Sequence, residues 1–151
     1  MRIRPKLILV IILIHAFQAY GREPLKIVFW NVENLFDLKD DKHTNDNEYI
    51  LGGRKGVTEE IYQQKLANLA EVVNALDAGV LGLCEIENRF VLEELNRAAE
   101  VRDYTIVHYD SPDRRGIDVA LLVDPEEMLV LESLPVNVML PTGNPTRDIL
   151  Y

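Results

Sequence analysis

Apolar positions along this chain fall into two rhythms. Short runs carry apolar groups on both parities, and one longer stretch carries them every three or four residues. The run Val80-Leu81-Gly82-Leu83-Cys84-Glu85-Ile86 has strand length and follows the turn signal Ala78-Gly79. Apolar residues on both parities predict a strand buried on both faces. Leu25 to Trp30 reads the same way. Between the two, Tyr62, Leu66, Leu69, Val73 and Leu76 make one helical stripe. Thr58 suits its N-cap, Glu59 and Glu60 suit the positive end of its dipole, and Asp77-Ala78-Gly79 stops it. Strand, helix and strand make a β-α-β unit. Asn88 caps a second helix predicted through Glu100, with Val91, Leu92, Leu95, Ala98 and Ala99 inward. Tyr104 to Tyr109 and Ile117 to Val123 read as strands joined by the turn-forming Asp110–Gly116. Leu129 to Leu134 reads as a further strand, and Arg147 to Tyr151 begins another. The expected class is α/β: one sheet with two helices on one face, because crossovers share one hand.

Residues 1–21 break this pattern. Arg2, Arg4 and Lys6 precede the apolar Leu7–Ile14, and Ala19-Tyr20-Gly21 offers a small-x-small cleavage site. That order predicts a cleaved export signal, a periplasmic or extracellular protein, and a mature domain over 22–151. The apolar run is too short for a stable membrane span. The signal holds three basic residues and no acidic one, so its removal takes the formal charge from −9 to −12. So acidic a body argues against generic electrostatic binding to nucleic acid, but not against an enzyme that meets phosphates through a metal. The single Cys84 forms no internal disulfide and reads as a packed core thiol.

Two polar residues stand at predicted strand ends. Glu85 lies near the carboxyl end of its strand, where ligands bind in open α/β sheets. It is either a solvated loop-edge acid or an oxygen ligand for a hard cation such as Mg²⁺. Asn31 directly follows Trp30. It is either a turn-former bonding its own backbone or a group that orients a metal ligand or phosphate. Arg114 and Arg115 lie in the later turn, where a guanidinium fork suits phosphate oxygens and a solvated role is the alternative. The polar stretch 37–57 reads as a loop of mostly solvated charges that could face a substrate.

Four motifs in order resemble the endonuclease/exonuclease/phosphatase family: Phe29-Trp30-Asn31-Val32-Glu33-Asn34-Leu35-Phe36-Asp37, Gly82-Leu83-Cys84-Glu85-Ile86-Glu87-Asn88, Arg115-Gly116-Ile117-Asp118-Val119-Ala120-Leu121-Leu122, and Thr146-Arg147-Asp148-Ile149-Leu150. The resemblance covers essentially all of the mature chain. It implies a four-layer α/β sandwich like that of pancreatic-type deoxyribonucleases, of which this chain would be the N-terminal half, with one mixed sheet. It implies hydrolysis of phosphodiester or phosphomonoester bonds with Mg²⁺ or Mn²⁺. Glu85 matches the metal-binding glutamate and Asn31 the asparagine that supports the site; Glu33 corresponds less closely. Nucleic acid, phosphoinositide-like headgroups and small phosphodiesters all suit such a half-site.

The departures are equally specific. The family's second half carries a Gly-Asp-Phe-Asn-like element and a late Asp-His pair. Here no Gly precedes Asp, no Asp precedes His, and no histidine follows His108. The expectation is a domain truncated on its C-terminal side. It would act with a complementing C-terminal half, or else persist as a non-catalytic remnant with the family's sheet.

Overall fold

A computed structural model describes residues 24–141, 143 and 146–151 of the chain. The export-signal reading of residues 1–21 lies outside these residues. The elements are β1 (Ile27–Leu35), α1 (Glu59–Leu76), β2 (Val80–Ile86), α2 (Arg89–Ala98), β3 (Thr105–His108), β4 (Asp118–Val123), β5 (Pro135–Val136) and β6 (Ile149–Leu150). The main sheet has the order β1-β2-β4-β3. β1 and β2 are parallel, as the intervening helix requires, and the other two pairings are antiparallel. The protein is therefore a mixed α/β structure with a four-stranded sheet and two helices. Among the described residues, no helix is long and apolar enough to cross a membrane.

The sequence patterns account for these elements. The Thr58 hydroxyl accepts the Ile61 N–H to open α1, and Tyr62, Leu66, Leu69 and Val73 are the buried stripe. The Asn88 side chain accepts the Val91 N–H to open α2, which buries Val91, Leu92 and Leu95. Both helices meet the sheet face formed by Val28, Trp30, Val32, Leu81, Leu83, Ala120 and Leu122. Burying each such side chain fully is worth roughly 1.5–3 kcal/mol against leaving it exposed. At the far end of the sheet, Arg102 ties Asp77, Asp124 and Glu127 together.

The structure differs from the sequence expectations in several places. β1 does not end at Trp30 but runs on to Leu35, so Asn31 lies within it. α2 stops at Ala98, short of Glu100. Leu129–Leu134 is not a strand. Pairing begins only at Leu134, whose N–H donates to Tyr151 O at 2.8 Å, and continues through the antiparallel β5–β6 ribbon. Residues 129–133 find no partner strand among the described residues, so their apolar run adopts no regular structure. Burial on both faces holds for β2 but not for β1, where Ile27 and Phe29 are exposed. The 37–57 loop is not simply a solvated one: Asp46 is fully buried within it.

Candidate functional site

Four strand ends meet at one end of the sheet. β1 and β2 run parallel and deliver their carboxyl ends there. β4 runs the other way, so its first residue, Asp118, pairs with Ile86 at the end of β2. β3 brings His108 opposite Ala120 of β4. The ends of β1 and β2 are irregular for a visible reason. Leu83 and Ile86 both face the core with two residues between them, where strand alternation allows one. The extra residue makes a bulge: Cys84 pairs with Val119 and Ile86 with Asp118, leaving Glu85 without an opposite number. Its φ of 66° is left-handed. β1 does the same at Glu33 and Asn34, with φ of 56° and 62°, between the inward Val32 and Leu35. Left-handed backbone at non-glycine residues is strained and clusters at functional sites.

Side chains from neighbouring elements hold these bulges. Asn31 Oδ1 accepts the Glu33 N–H at 2.7 Å, which is the turn-forming role open to it. Lys65 of α1 donates from Nζ to Glu33 O at 2.6 Å and Asn34 O at 2.9 Å. Burial lowers the Lys65 pKa, and the charges of Glu33 and Glu85 oppose that shift. Asn31 pairs with Cys84, immediately before Glu85, so the two predicted residues sit on adjacent strands at neighbouring positions. Glu85 is half-buried, and its carboxylate makes no hydrogen bond or ion pair among the described residues.

The β3–β4 turn flanks this edge. Asp118 is buried; its Oδ1 accepts from Ser111 N–H at 2.9 Å and Ser111 Oγ–H at 2.5 Å, and its Oδ2 meets His108 Nε2 at 3.1 Å. Ligand atoms of His108, Asp110 and Asp118 lie within 4.8 Å of one another, a second group with metal-ligand composition. Arg114 and Arg115 are exposed in the same turn. Arg115 pairs with Asp113 at 3.5 Å, while Arg114 makes no ion pair among the described residues. Arg147 reaches Asp113 from the segment before β6, at 4.0 Å. Burial pushes the Cys84 thiol up, the Arg147 charge opposes this, and Glu85 adds to it. Cys84 is therefore a poor nucleophile, half-buried at the edge rather than packed in the core.

Sequence reasoning thus named Asn31, Glu85, Arg114 and Arg115, and the fold brings all four to one end of the sheet. It did not single out Lys65, Ser111, Asp118 or Arg147. Asp118 carried a signal, being the one charge in the apolar run Ile117–Val123. Lys65 carried none, since its two acceptors are main-chain atoms of another element.

A profile of the Endonuclease/Exonuclease/phosphatase family matches residues 26–151. The chain belongs to this family. No curated protein and no solved structure gives a significant match. Members are phosphoesterase-type hydrolases and generally depend on a divalent metal. The residues present fit such an ion: a half-buried carboxylate at Glu85 with no partner among the described residues, beside the exposed Asn31, is the hard oxygen set that Mg²⁺ or Mn²⁺ takes.

Proposed function

We propose that the chain hydrolyses phosphoester bonds in a metal-dependent reaction centred on Glu85 and Asn31. The observation that supports this most is the Glu85 carboxylate, without a partner among the described residues and raised on a left-handed bulge at the carboxyl end of β2 in a member of this family. Glu85 would hold the ion, and Asn31, braced by its bond to the Glu33 N–H, would orient it. A divalent ion there supplies charge stabilisation at the phosphoryl oxygen and the leaving oxygen. Arg114, whose guanidinium has no ion pair among the described residues, supplies a fork for the remaining phosphate oxygens. Arg115 and Arg147 share Asp113, which fixes the turn that presents Arg114. His108 is committed to Asp118 and buried, so it shapes the turn rather than moving substrate protons. The general acid and base come from a complementing segment bearing the Asp-His pair that these 151 residues lack.

The test has two arms. Calorimetric titration with Mn²⁺ should show a weak site in the wild-type chain that is lost in Glu85→Ala. A phosphodiesterase assay should find the chain inactive alone and active with Mg²⁺ once joined to such a segment. In that active form, changing Arg114 and Arg115 to Ala should raise KM or lower turnover. Equal Mn²⁺ binding by wild type and Glu85→Ala would remove Glu85 from the site. Inactivity of the joined protein would leave the non-catalytic remnant as the reading.

A further inference from the structure

The β3–β4 hairpin gathers a histidine and two aspartates that the reaction centred on Glu85 does not use. Ala120 and Leu122 of β4 face the helices, and strand alternation puts Asp118 on the same face. His108 pairs with Ala120, so it shares that face, one diagonal step from Asp118. Asp110 stands two residues beyond His108, just past the end of β3. One ligand atom from each of the three lies within 4.8 Å of the other two. A histidine and an aspartate at the end of one strand thus converge with an aspartate at the start of its antiparallel neighbour.

Burial and hydrogen bonding separate this group from ordinary surface acids. Asp118 is 2% exposed, and the His108 side chain is 3% exposed. Ser111 holds Asp118 Oδ1 with two donors, its N–H at 2.9 Å and its Oγ–H at 2.5 Å. That leaves Oδ2 facing His108 Nε2, 3.1 Å away. Among the described residues, no lysine or arginine pairs with Asp118 or Asp110. Buried charges are paired or coordinate metals, and a carboxylate that ligates a metal is itself hydrogen-bonded from outside. The 3.1 Å between Nε2 and Oδ2 is close to the separation of two ligands on one zinc, each at roughly 2.0–2.2 Å. Asp110 is exposed, so an ion reaches the buried pair from the solvent side.

We propose that His108, Asp110 and Asp118 bind Zn²⁺, separate from the ion at Glu85, and that this zinc clamps the turn carrying Arg114. The donor set decides the metal. Imidazole suits zinc, whereas Mg²⁺ and Ca²⁺ take oxygens, and Mn²⁺ binds a mixed nitrogen and oxygen set more weakly than zinc does. Without metal, a proton bridges Nε2 and Oδ2. Zinc takes its place, and the proton passes to Nδ1 of the same ring or to water. Asp118 then ligates through Oδ2 while Oδ1 keeps both bonds from Ser111. Three protein ligands leave the fourth tetrahedral position to water.

Zinc uptake by the full chain, stripped with chelator, is read by competition with a chromophoric chelator and by thermal melts. The wild-type chain should bind zinc at a single site that excess Mg²⁺ does not displace. Zinc should also raise Tm by several degrees, as a ligand of the folded state alone does. His108→Gln should lose both effects. Asp110→Asn changes an exposed side chain, so it reads the site even if His108→Gln fails to fold, and it should weaken binding markedly. Ser111→Ala, which removes one bond that orients Asp118, should cost about tenfold in affinity. Glu85→Ala and His43→Gln should keep the site. No zinc uptake by the wild-type chain would overturn the proposal, as would full affinity in Asp110→Asn. So would loss of the site in Glu85→Ala or His43→Gln, which would assign the zinc to the Glu85 edge or to the 37–57 loop.

Discussion

Glu85 shows how a single residue trades stability for chemistry. Its φ of 66° is open to glycine at no steric cost, whereas any side chain there strains the backbone. Such residues cost of order 1–3 kcal/mol and persist where the surroundings over-determine them. Here the flanking pairs Cys84–Val119 and Ile86–Asp118 fix the bulge from both sides. Two substitutions separate strain from function. Glu85→Gly and Glu85→Ala should both lose Mn²⁺ binding, but Gly should be more stable than Ala by about 1 kcal/mol. Thermal melts of the two variants in metal-free buffer make the comparison. Equal melting temperatures would mean that the left-handed conformation stores no strain. The sequence placed Glu85 at a strand end but could not show the bulge. Nothing in Leu83-Cys84-Glu85-Ile86 signals left-handed backbone, since neither glycine nor asparagine stands where it occurs. Asp46 was hidden for a related reason. A lone acid in a polar loop reads as solvated, whereas here the loop folds back on Asp46: the Asp41 N–H donates to its carboxylate and the Tyr49 N–H to its main-chain oxygen.

Among the elements, α1 and β2 were the most legible, because their patterns are strong and their partners lie next to them in the chain. α1 announces itself by a full apolar stripe and an N-cap, and β2 by apolar residues on both parities. β1 and β5 were misjudged for the opposite reason. The extension of β1 past Asn31 depends on its pairing of Leu35 with Ile86, and β5 depends on its pairing with Ile149–Leu150. Leu129–Leu134 has the composition of a strand, but only Leu134 finds a partner among the described residues. Pairing, and not propensity, decides such short runs. The same dependence links α1 to the site. Lys65 is the one side chain of that helix that holds the β1 bulge, through two main-chain oxygens that would otherwise need other donors. Lys65→Met keeps the stem that packs along the helix and removes the donors. It should weaken Mn²⁺ binding at Glu85 while leaving the helical circular dichroism unchanged. Lys65→Arg, which restores charge and donors, should recover part of the affinity. Unchanged affinity in Lys65→Met would show that the bulge holds itself.

At the scale of the whole molecule, the two faces of the sheet are unequal. The helices cover one face. The β5–β6 ribbon lies against the other, leaving an apolar cleft of about 320 Å³ lined by Phe29, Gly82, Cys84, Leu121, Ile149 and Leu150. Gly82 is what admits Phe29 there, because a Cβ at that position would collide with the aromatic ring. Among the described residues, however, nothing covers the outer side of that ring: Phe29 is 79% exposed and Ile149 is 59% exposed. Leu131, at 87%, adds to the apolar surface of the segment before β5. Soluble monomers rarely leave apolar patches larger than a few hundred Å² uncovered. The β5–β6 ribbon is also only two residues long on each strand, so it leaves backbone edges free to pair. The isolated chain should therefore self-associate, with sedimentation showing a concentration-dependent shift to larger species and an apolar dye binding at low concentration. Phe29→Glu should move the population toward monomer and reduce dye binding. It should do so with little loss of Tm, because a side chain so exposed contributes little to the fold it leaves. A wild-type chain that sediments as a single monomer at every concentration would defeat this account.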